Sequence, residues 1–360
     1  MRSLPLARQR SWESAVQTLD DPMTRYLALA LQTRCFAVNG LSIESARERI
    51  RANLVRVSAQ IAASKRFIGP DLKLVVLPEY FLTSFPQGES IEHWQALACL
   101  SMDDALYGQL GACASSEQVY IAGNAYERDP HFPALYFQTS FVLSPSGEIC
   151  LRYRRLVSMF APTPHDVLDA YLDRYGWEGV FPVADTAIGK LAAIASEEIL
   201  YPEIARAHAL RGAEIFLHST SEVGSPALTP KHIAKRARAL ENLAYVVSAN
   251  SAGIEGTSIP AESTDGMSTV IDYKGMPLSE ASAGESMVAY ATVDLEALRA
   301  WRRRPGMGNL LARQRLELFA PTYAAVIHPK NTLSQTLPTR VHFLDTQKRV
   351  IDDLASRGLI

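Results

Sequence analysis

The chain has 360 residues, 48% of them hydrophobic, which is enough for one large α/β domain or two ordinary ones, with a substantial core either way. Its 36 basic and 38 acidic residues leave a formal net charge of -2, which excludes the long-range positive field that gathers nucleic acid or an anionic membrane surface. A small, roughly neutral molecule is the partner that fits, with no nucleic acid and no membrane expected. The four cysteines, Cys35, Cys99, Cys113 and Cys150, are irregularly spaced and form neither a Cys-x-x-Cys pair nor a zinc pattern. Reduced, mostly buried thiols in a cytoplasmic protein are expected. The N-terminus has basic residues without an apolar stretch of signal-peptide length, and no segment approaches the roughly 18 apolar residues of a membrane span.

In chain order, 26–33 reads as a buried strand, and 42–67 places apolar side chains three and four apart, as an amphipathic helix does. Residues 71–81 form a second buried strand that runs into Pro78-Glu79. A helix over 101–116, a strand over 118–124 and strands over 137–144 and 148–157 follow; Pro145-Ser146-Gly147 is a turn signal that makes the last two antiparallel neighbours. Downstream come strand 190–195, helix 201–212, strand 214–219, helix 230–243, and strands 244–250, 267–273 and 287–294. Stretches 83–100 and 157–180 read as loops. No Pro/Gly/Ser-rich linker and no repeat divides the chain, so 25–323 is read as one α/β domain, two sheets sandwiched between helix layers. Residues 1–24 and 324–360 fall outside the alternation and read as packing or oligomer arms, the second ending in a helix within 342–358.

In α/β proteins reactive groups gather where buried strands end. Three such ends carry chemistry: Glu79 after "LVVLP", Arg154-Arg155 in "LRYRRL", and Ser196 after "LAAIA". A carboxylate, a guanidinium and a hydroxyl converging there could act as base, anion clamp and nucleophile. Ser196 and Glu79 each have a plainer reading as a cap. Serine at a strand end is usually a cap or turn residue, whereas a carboxylate directly after a five-residue apolar run is costly without a partner, which favours a pocket role for Glu79. Glu203, Glu241 and Asn242 read as helix-end or bracing residues. The eight histidines show no metal spacing, and the glycines of a Gly-x-Ser-x-Gly elbow are missing around Ser196, so no metal, no cofactor and no Ser-His-Asp triad is expected. The arginines of 302–306 read as helix-end charges.

The ordered stretches "LVVLPEYFLTSFP", "SPSGEICLRYRRL", "GKLAAIASEEILYPEIARAHALRGAEIFLHST", "RALENLAYVVSAN" and "LARQRLELFAPTY" together resemble the nitrilase, or carbon-nitrogen hydrolase, superfamily over roughly residues 26–323. The resemblance implies a four-layer αββα sandwich of the nitrilase type. It also implies a homodimer or larger homo-oligomer built through the layer that carries the helix after the nucleophile. Its active-site apparatus is a glutamate base, a lysine that stabilises the oxyanion and a cysteine that attacks an amide or nitrile carbon. Glu79 matches the base. The lysine position, in a Tyr-basic-Lys motif, falls on Arg155, and the cysteine position, seven residues before the glutamate of Pro202-Glu203, falls on Ser196. Glu178 is a loose match to a second glutamate. Tyr80, Glu197 and Tyr201 are expected to contact substrate, with Glu198 as support.

An alcohol is a weaker nucleophile than a thiol because its proton must leave as it attacks. Arginine keeps the charge of lysine but prefers two acceptor atoms and does not shuttle protons; it could also pair with Glu79 and tie up the base. The sequence therefore reads as a protein that acts on or binds a small amide, nitrile or carbamoyl compound through an altered apparatus of Glu79, Arg155 and Ser196. Two alternatives stand beside it: an inactive relative serving as sensor or assembly partner, and a hydrolase carrying an engineered Cys-to-Ser change at Ser196.

Overall fold

Strand Arg25–Ala30 sends its side chains alternately into two apolar clusters, Leu29 towards a helix layer and Tyr26, Ala28 and Ala30 towards a second sheet. The same period-two partition recurs across the molecule. In strand Gly189–Ala195, Leu191, Ala193 and Ala195 face the gap between the sheets, and Ala192 and Ile194 face the opposite helices. Such strands, apolar on both faces, produce the continuous hydrophobic runs seen in the sequence. The structure, a computed structural model, describes residues 23–223, 225 and 228–360; the N-terminal arm expected over 1–24 therefore lies almost wholly outside the described residues.

The first sheet runs in the order Tyr290–Asp294, Arg25–Ala30, Leu72–Val76, Tyr120–Arg128, Tyr136–Leu143, Ile149–Arg154, with short strand Leu100–Ser101 pairing beside Tyr120–Arg128. The second runs Pro277–Glu280, Thr269–Ile271, Tyr245–Ala249, Ile215–Ser219, Gly189–Ala195, Ala184–Thr186. Each has a parallel centre and antiparallel edges. Helix Ile43–Ile68 covers the outer face of the first sheet with Ala46, Ile50, Leu54, Val57 and Ile61, joined by Ala105–Glu117. Helices Pro202–Leu210 and Pro230–Asn242 cover the second. The result is the expected four-layer αββα sandwich.

Four helices were not legible in the sequence. Ile91–Ala98 lies inside the stretch expected to be loop, with Ser90 as its N-cap accepting from His93 N at 3.2 Å. Leu168–Val180 occupies the other expected loop; its run is broken at Gly176 (φ 61°, ψ -177°), which disrupts the apolar period a reader would look for. Leu295–Arg303 ends in Arg302 and Arg303, in keeping with helix-end charges, and Leu316–Tyr323 follows. The C-terminal helix spans Arg340–Ser356. No described helix is long and apolar enough to cross a membrane.

One close approach sets a stability prediction. A Cβ on Gly111 would stand 2.3 Å from the carbonyl oxygen of Gly147, backbone against backbone where helix Ala105–Glu117 crosses the turn of the antiparallel pair. Gly111→Ala is expected to destabilise the protein by about 1–3 kcal/mol by forcing that turn away, read as a lowered midpoint in urea; an unchanged midpoint would show that the turn moves freely.

Candidate functional site

Buried strand Gly189–Ala195 stops at Ser196, a residue with φ 51° and little exposure, which opens the 3-10 turn Ser196–Leu200 ahead of helix Pro202–Leu210. Left-handed backbone at a non-glycine residue costs about 1–3 kcal/mol and persists only where neighbours impose it. Two buried groups do so. The Glu198 carboxylate accepts from Ala195 N at 3.0 Å and the Tyr153 hydroxyl at 2.8 Å through one oxygen, and from Leu156 N at 2.6 Å and Val157 N at 3.1 Å through the other. It thereby ties the segment after Arg155 to the serine turn. His218 contacts the Ser196 carbonyl through Nε2 at 2.8 Å. A carbonyl can only accept, so Nε2 carries the proton and Nδ1 accepts from Ser248 Oγ at 2.8 Å. Burial, with the charges of Lys235 and Lys231 adding to it, pushes His218 well below the ordinary imidazole range, so it is a neutral anchor.

Glu79 stands just beyond strand Leu72–Val76 and is fully buried. Its Oε1 accepts from Gln138 Nε2 at 2.6 Å and Arg155 Nη1 at 3.4 Å, and its Oε2 from Ser221 Oγ at 2.8 Å. Arg155 follows strand Ile149–Arg154. Its Nε donates to Val157 O at 2.7 Å, Nη1 to Gln138 Oε1 at 2.6 Å as well as to Glu79, and Nη2 to Glu197 Oε1. Four of the five guanidinium N–H groups are engaged by the protein. The guanidinium is therefore not an open clamp awaiting a substrate carboxylate, and its contact with Glu79 is a single long one rather than a bidentate bridge. Burial works against its charge, but Glu79, Tyr80, Glu197 and Glu198 more than offset that and hold it cationic.

The group that reaches the serine hydroxyl is a different one. Lys231 Nζ lies 3.2 Å from Ser196 Oγ and 3.2 Å from Thr220 Oγ1. Of the residues expected to contact substrate, Tyr80 is half-buried beside Glu79 with φ 64° and stacks on Tyr126 at 6.1 Å between centroids. Glu197 is paired with Arg155, and Tyr201 is 43% exposed just past the serine turn. Glu178 pairs with Arg211 at the surface and has no place in this cluster, which corrects its loose match to a second glutamate. Cys35 lies behind the site, its sulfur 3.7 Å from Glu79 O, and burial pushes its thiol up to about 12, so it supplies no thiolate. All four cysteines are free; Cys150 is exposed rather than buried. Among the described residues no His/Cys/Asp/Glu group could hold a metal ion. Cavities of about 460 and 410 Å³ open elsewhere, and neither is lined by Glu79, Arg155 or Ser196.

Sequence reasoning brought Glu79, Arg155 and Ser196 to one region but missed Gln138, Ser221 and Lys231. Gln138 carried no signal, since a polar residue inside a strand usually faces water. Lys231 did carry one: it sits in the first turn of helix Pro230–Asn242, where the positive end of the helix disfavours a cation. Arg238 holds the same helix to the serine turn by donating to Ile199 O at 3.0 Å and Leu200 O at 3.2 Å, and Glu241 pairs with it at 2.6 Å.

The carbon-nitrogen hydrolase family model matches residues 35–303. Among curated proteins, the chain is 23% identical to an omega-amidase, NIT3, of Saccharomyces cerevisiae over 252 residues, covering 70% of this chain and 84% of that protein. It is 30% identical to a formamidase of Bacillus thuringiensis over 192 residues, 52% of each, so the chain spans about half the length of that relative. Among solved structures, Saccharomyces cerevisiae Nit3 superposes with a TM-score of 0.62 at 22% identity, covering 84% of this chain and 99% of that one. A carbon-nitrogen hydrolase from Helicobacter pylori superposes with a TM-score of 0.64 at 21% identity, with the same coverage. A double mutant of the amidase from Nesterenkonia sp. AN1, solved in complex with acrylamide, gives 0.58 at 19%, covering 84% and 99%.

Proposed function

We propose, on the premise that this chain belongs to the carbon-nitrogen hydrolase family, that it cleaves the carbon–nitrogen bond of a small amide with the Ser196 oxygen as the attacking atom. The observation that carries this reading is the backbone of Ser196. A serine held left-handed at φ 51° immediately after a buried strand, with its carbonyl pinned by His218, is strained in the way that presents a nucleophile to a pocket. The names of the relatives, an omega-amidase and a formamidase, support an amide as substrate. In this reading Ser196 and Arg155 stand where the family has cysteine and lysine, and Glu79 and Arg155, bridged by the Gln138 amide, form the polar wall of the pocket.

Glu79→Gln tests it. The exchange keeps the shape but removes the charge that balances Arg155 and places an NH₂ or an altered acceptor against Gln138 and Ser221. We expect ammonia release from a panel of small amides, nitriles and carbamoyl compounds to fall about a hundredfold in kcat/KM, with the thermal midpoint monitored alongside. Release unchanged in a folded Glu79→Gln protein sinks the role given to Glu79.

A second reading is favoured by the occupancy of the wall: both oxygens of Glu79 and four guanidinium N–H groups of Arg155 already have protein partners. A pocket so tied suits a ligand sensor or assembly partner. It predicts no ammonia from the natural chain and turnover after Arg155→Lys with Ser196→Cys. In either reading 25–323 is the carbon-nitrogen hydrolase-like unit, and the C-terminal arm over 324–360, with Val326 73% and Val341 64% exposed, packs against a second copy of the chain in a homo-oligomer.

A further inference from the structure

We propose that Ser196 and Lys231 form a serine–lysine pair in which the Lys231 amine takes the hydroxyl proton as Ser196 Oγ attacks an acyl carbon. The inference deepens the reading above and rests on it for Ser196 as the attacking atom and for the substrate class; what it adds is the base. Its first support is geometric. Lys231 Nζ is 3.2 Å from Ser196 Oγ, whereas both oxygens of Glu79 point at Gln138, Arg155 and Ser221. Among the described residues, no hydrogen bond joins Ser196 to Glu79 or Arg155, so the base expected from the resemblance is not the group that faces the hydroxyl.

The second support is the field around the amine. Lys231 occupies the first turn of helix Pro230–Asn242, whose unpaired N–H groups favour anions. Among the described residues, the four charged side chains that act on it most come as two matched pairs. Glu79 is offset by Arg155, and buried Glu222 by buried Lys235, 3.0 Å away. His218, which closes the other side of the serine turn, is neutral. With these carboxylates each matched by a cation, burial decides, and it lowers the amine below the ordinary lysine range; Lys235 and Arg155 add to that, while Glu79 and Glu222 oppose it.

As an ammonium, Lys231 donates to Ser196 Oγ and to Thr220 Oγ1. Once neutral, it keeps an N–H on Thr220 and turns its lone pair to the serine O–H. The proton then passes from Oγ to Nζ while the O–C bond forms, giving a tetrahedral adduct. Collapse breaks the C–N bond, and the Lys231 ammonium returns the proton to the departing amine, which leaves as ammonia. Water attacks the resulting ester with its proton going to Nζ and thence to Ser196 Oγ, releasing the carboxylic acid. Protons and electrons balance with water as the only co-reactant.

The test uses the full chain and an alkyl fluorophosphonate, which a nucleophilic serine captures with loss of fluoride, read by intact mass and peptide mapping. It runs beside ammonia release from formamide, acetamide and butyramide between pH 6 and 10. We expect labelling at Ser196 with a rate that rises with pH along one ionisation below the ordinary lysine value of about 10.4. Labelling should fall about a hundredfold or more in Lys231→Met and equally in Lys231→Arg, because a guanidinium keeps the charge but does not give up its proton. Should Lys231→Met fail to fold, Lys231→Arg carries the test. Absent labelling, labelling unchanged in Lys231→Met, or rescue by Lys231→Arg each overturns the pair, the last by making Lys231 a fixed charge. Labelling with the expected profile but no hydrolysis of any amide leaves the pair standing and removes the amide reading instead.

Discussion

Ser196→Ala is expected to lower kcat/KM for amide hydrolysis by about 10⁴-fold or more, the scale seen when the covalent nucleophile of a serine hydrolase is deleted while its binding groups remain. The change removes one oxygen and leaves the turn intact, since Glu198 and His218 hold the backbone through main-chain groups rather than through Oγ. A fall confined to kcat, with ligand binding unchanged by calorimetry, is therefore the expected form of the loss. Turnover that survives in Ser196→Ala would mean that water attacks the substrate directly, and both Ser196 and Lys231 would lose their assigned roles. Ser196→Cys sharpens the comparison. A thiol needs less help to ionise than an alcohol, and the Lys231 ammonium 3.2 Å from the side chain favours the thiolate. That variant is expected to stay active to lower pH than the natural chain, because a cationic Lys231 then assists instead of inhibiting.

The sheets were legible in the sequence because their strands are buried on both faces. "LKLVV" and "IFLHS" have no polar alternation and are too short for buried helices, so length and β-branching decide them. The helices of 83–100 and 157–180 were hidden for local reasons. Ile91–Ala98 is two turns long, and Leu168–Val180 takes its fixity from tertiary contacts: Tyr171 and Tyr175, packed against each other at 5.0 Å, both lie against the Arg154 guanidinium, at 5.6 and 4.8 Å from ring centroid to Cζ. No local propensity encodes that contact. The site shows the same division. Glu79, Arg155 and Ser196 were found because each follows the end of a strand, Glu79 and Arg155 in the first sheet and Ser196 in the second, and strand ends are where α/β folds place reactive groups. Lys231 approaches from a helix start about 35 residues beyond the serine, and Gln138 from inside an antiparallel strand; both distances in sequence are set by topology alone. Strand ends identify a pocket, but which donor faces which acceptor depends on how the second sheet lies over the first.

Glu198→Ala is expected to be the most destabilising of the substitutions considered, by about 4 kcal/mol, because the buried Ala195 N–H, the partly buried Leu156 and Val157 N–H groups and the buried Tyr153 hydroxyl lose their shared acceptor at once. The effect should also carry a pH signature. Burial lifts the Glu198 carboxyl to about 7, against the opposing pull of Arg155 and of the Leu156, Ala195 and Tyr153 donors. Its folded pKa thus stands above the unfolded value of 4.5, so the native state holds the proton more tightly than the unfolded chain does. The stability that follows is fully present below pH 4.5 and is lost as pH rises through about 7. The Tyr153 hydroxyl is the one donor of the four able to rotate and accept, so it takes the proton's hydrogen bond when Glu198 is neutral. Urea unfolding of the natural chain at pH 5, 6, 7 and 8 should show a stability component that declines over this window, and Glu198→Ala should remove that component along with most of the stabilisation. Parallel pH curves for the two proteins would show that Glu198 is ionised throughout, held so by its four donors, and that the link between the Arg155 segment and the serine turn is a carboxylate at every pH the protein meets.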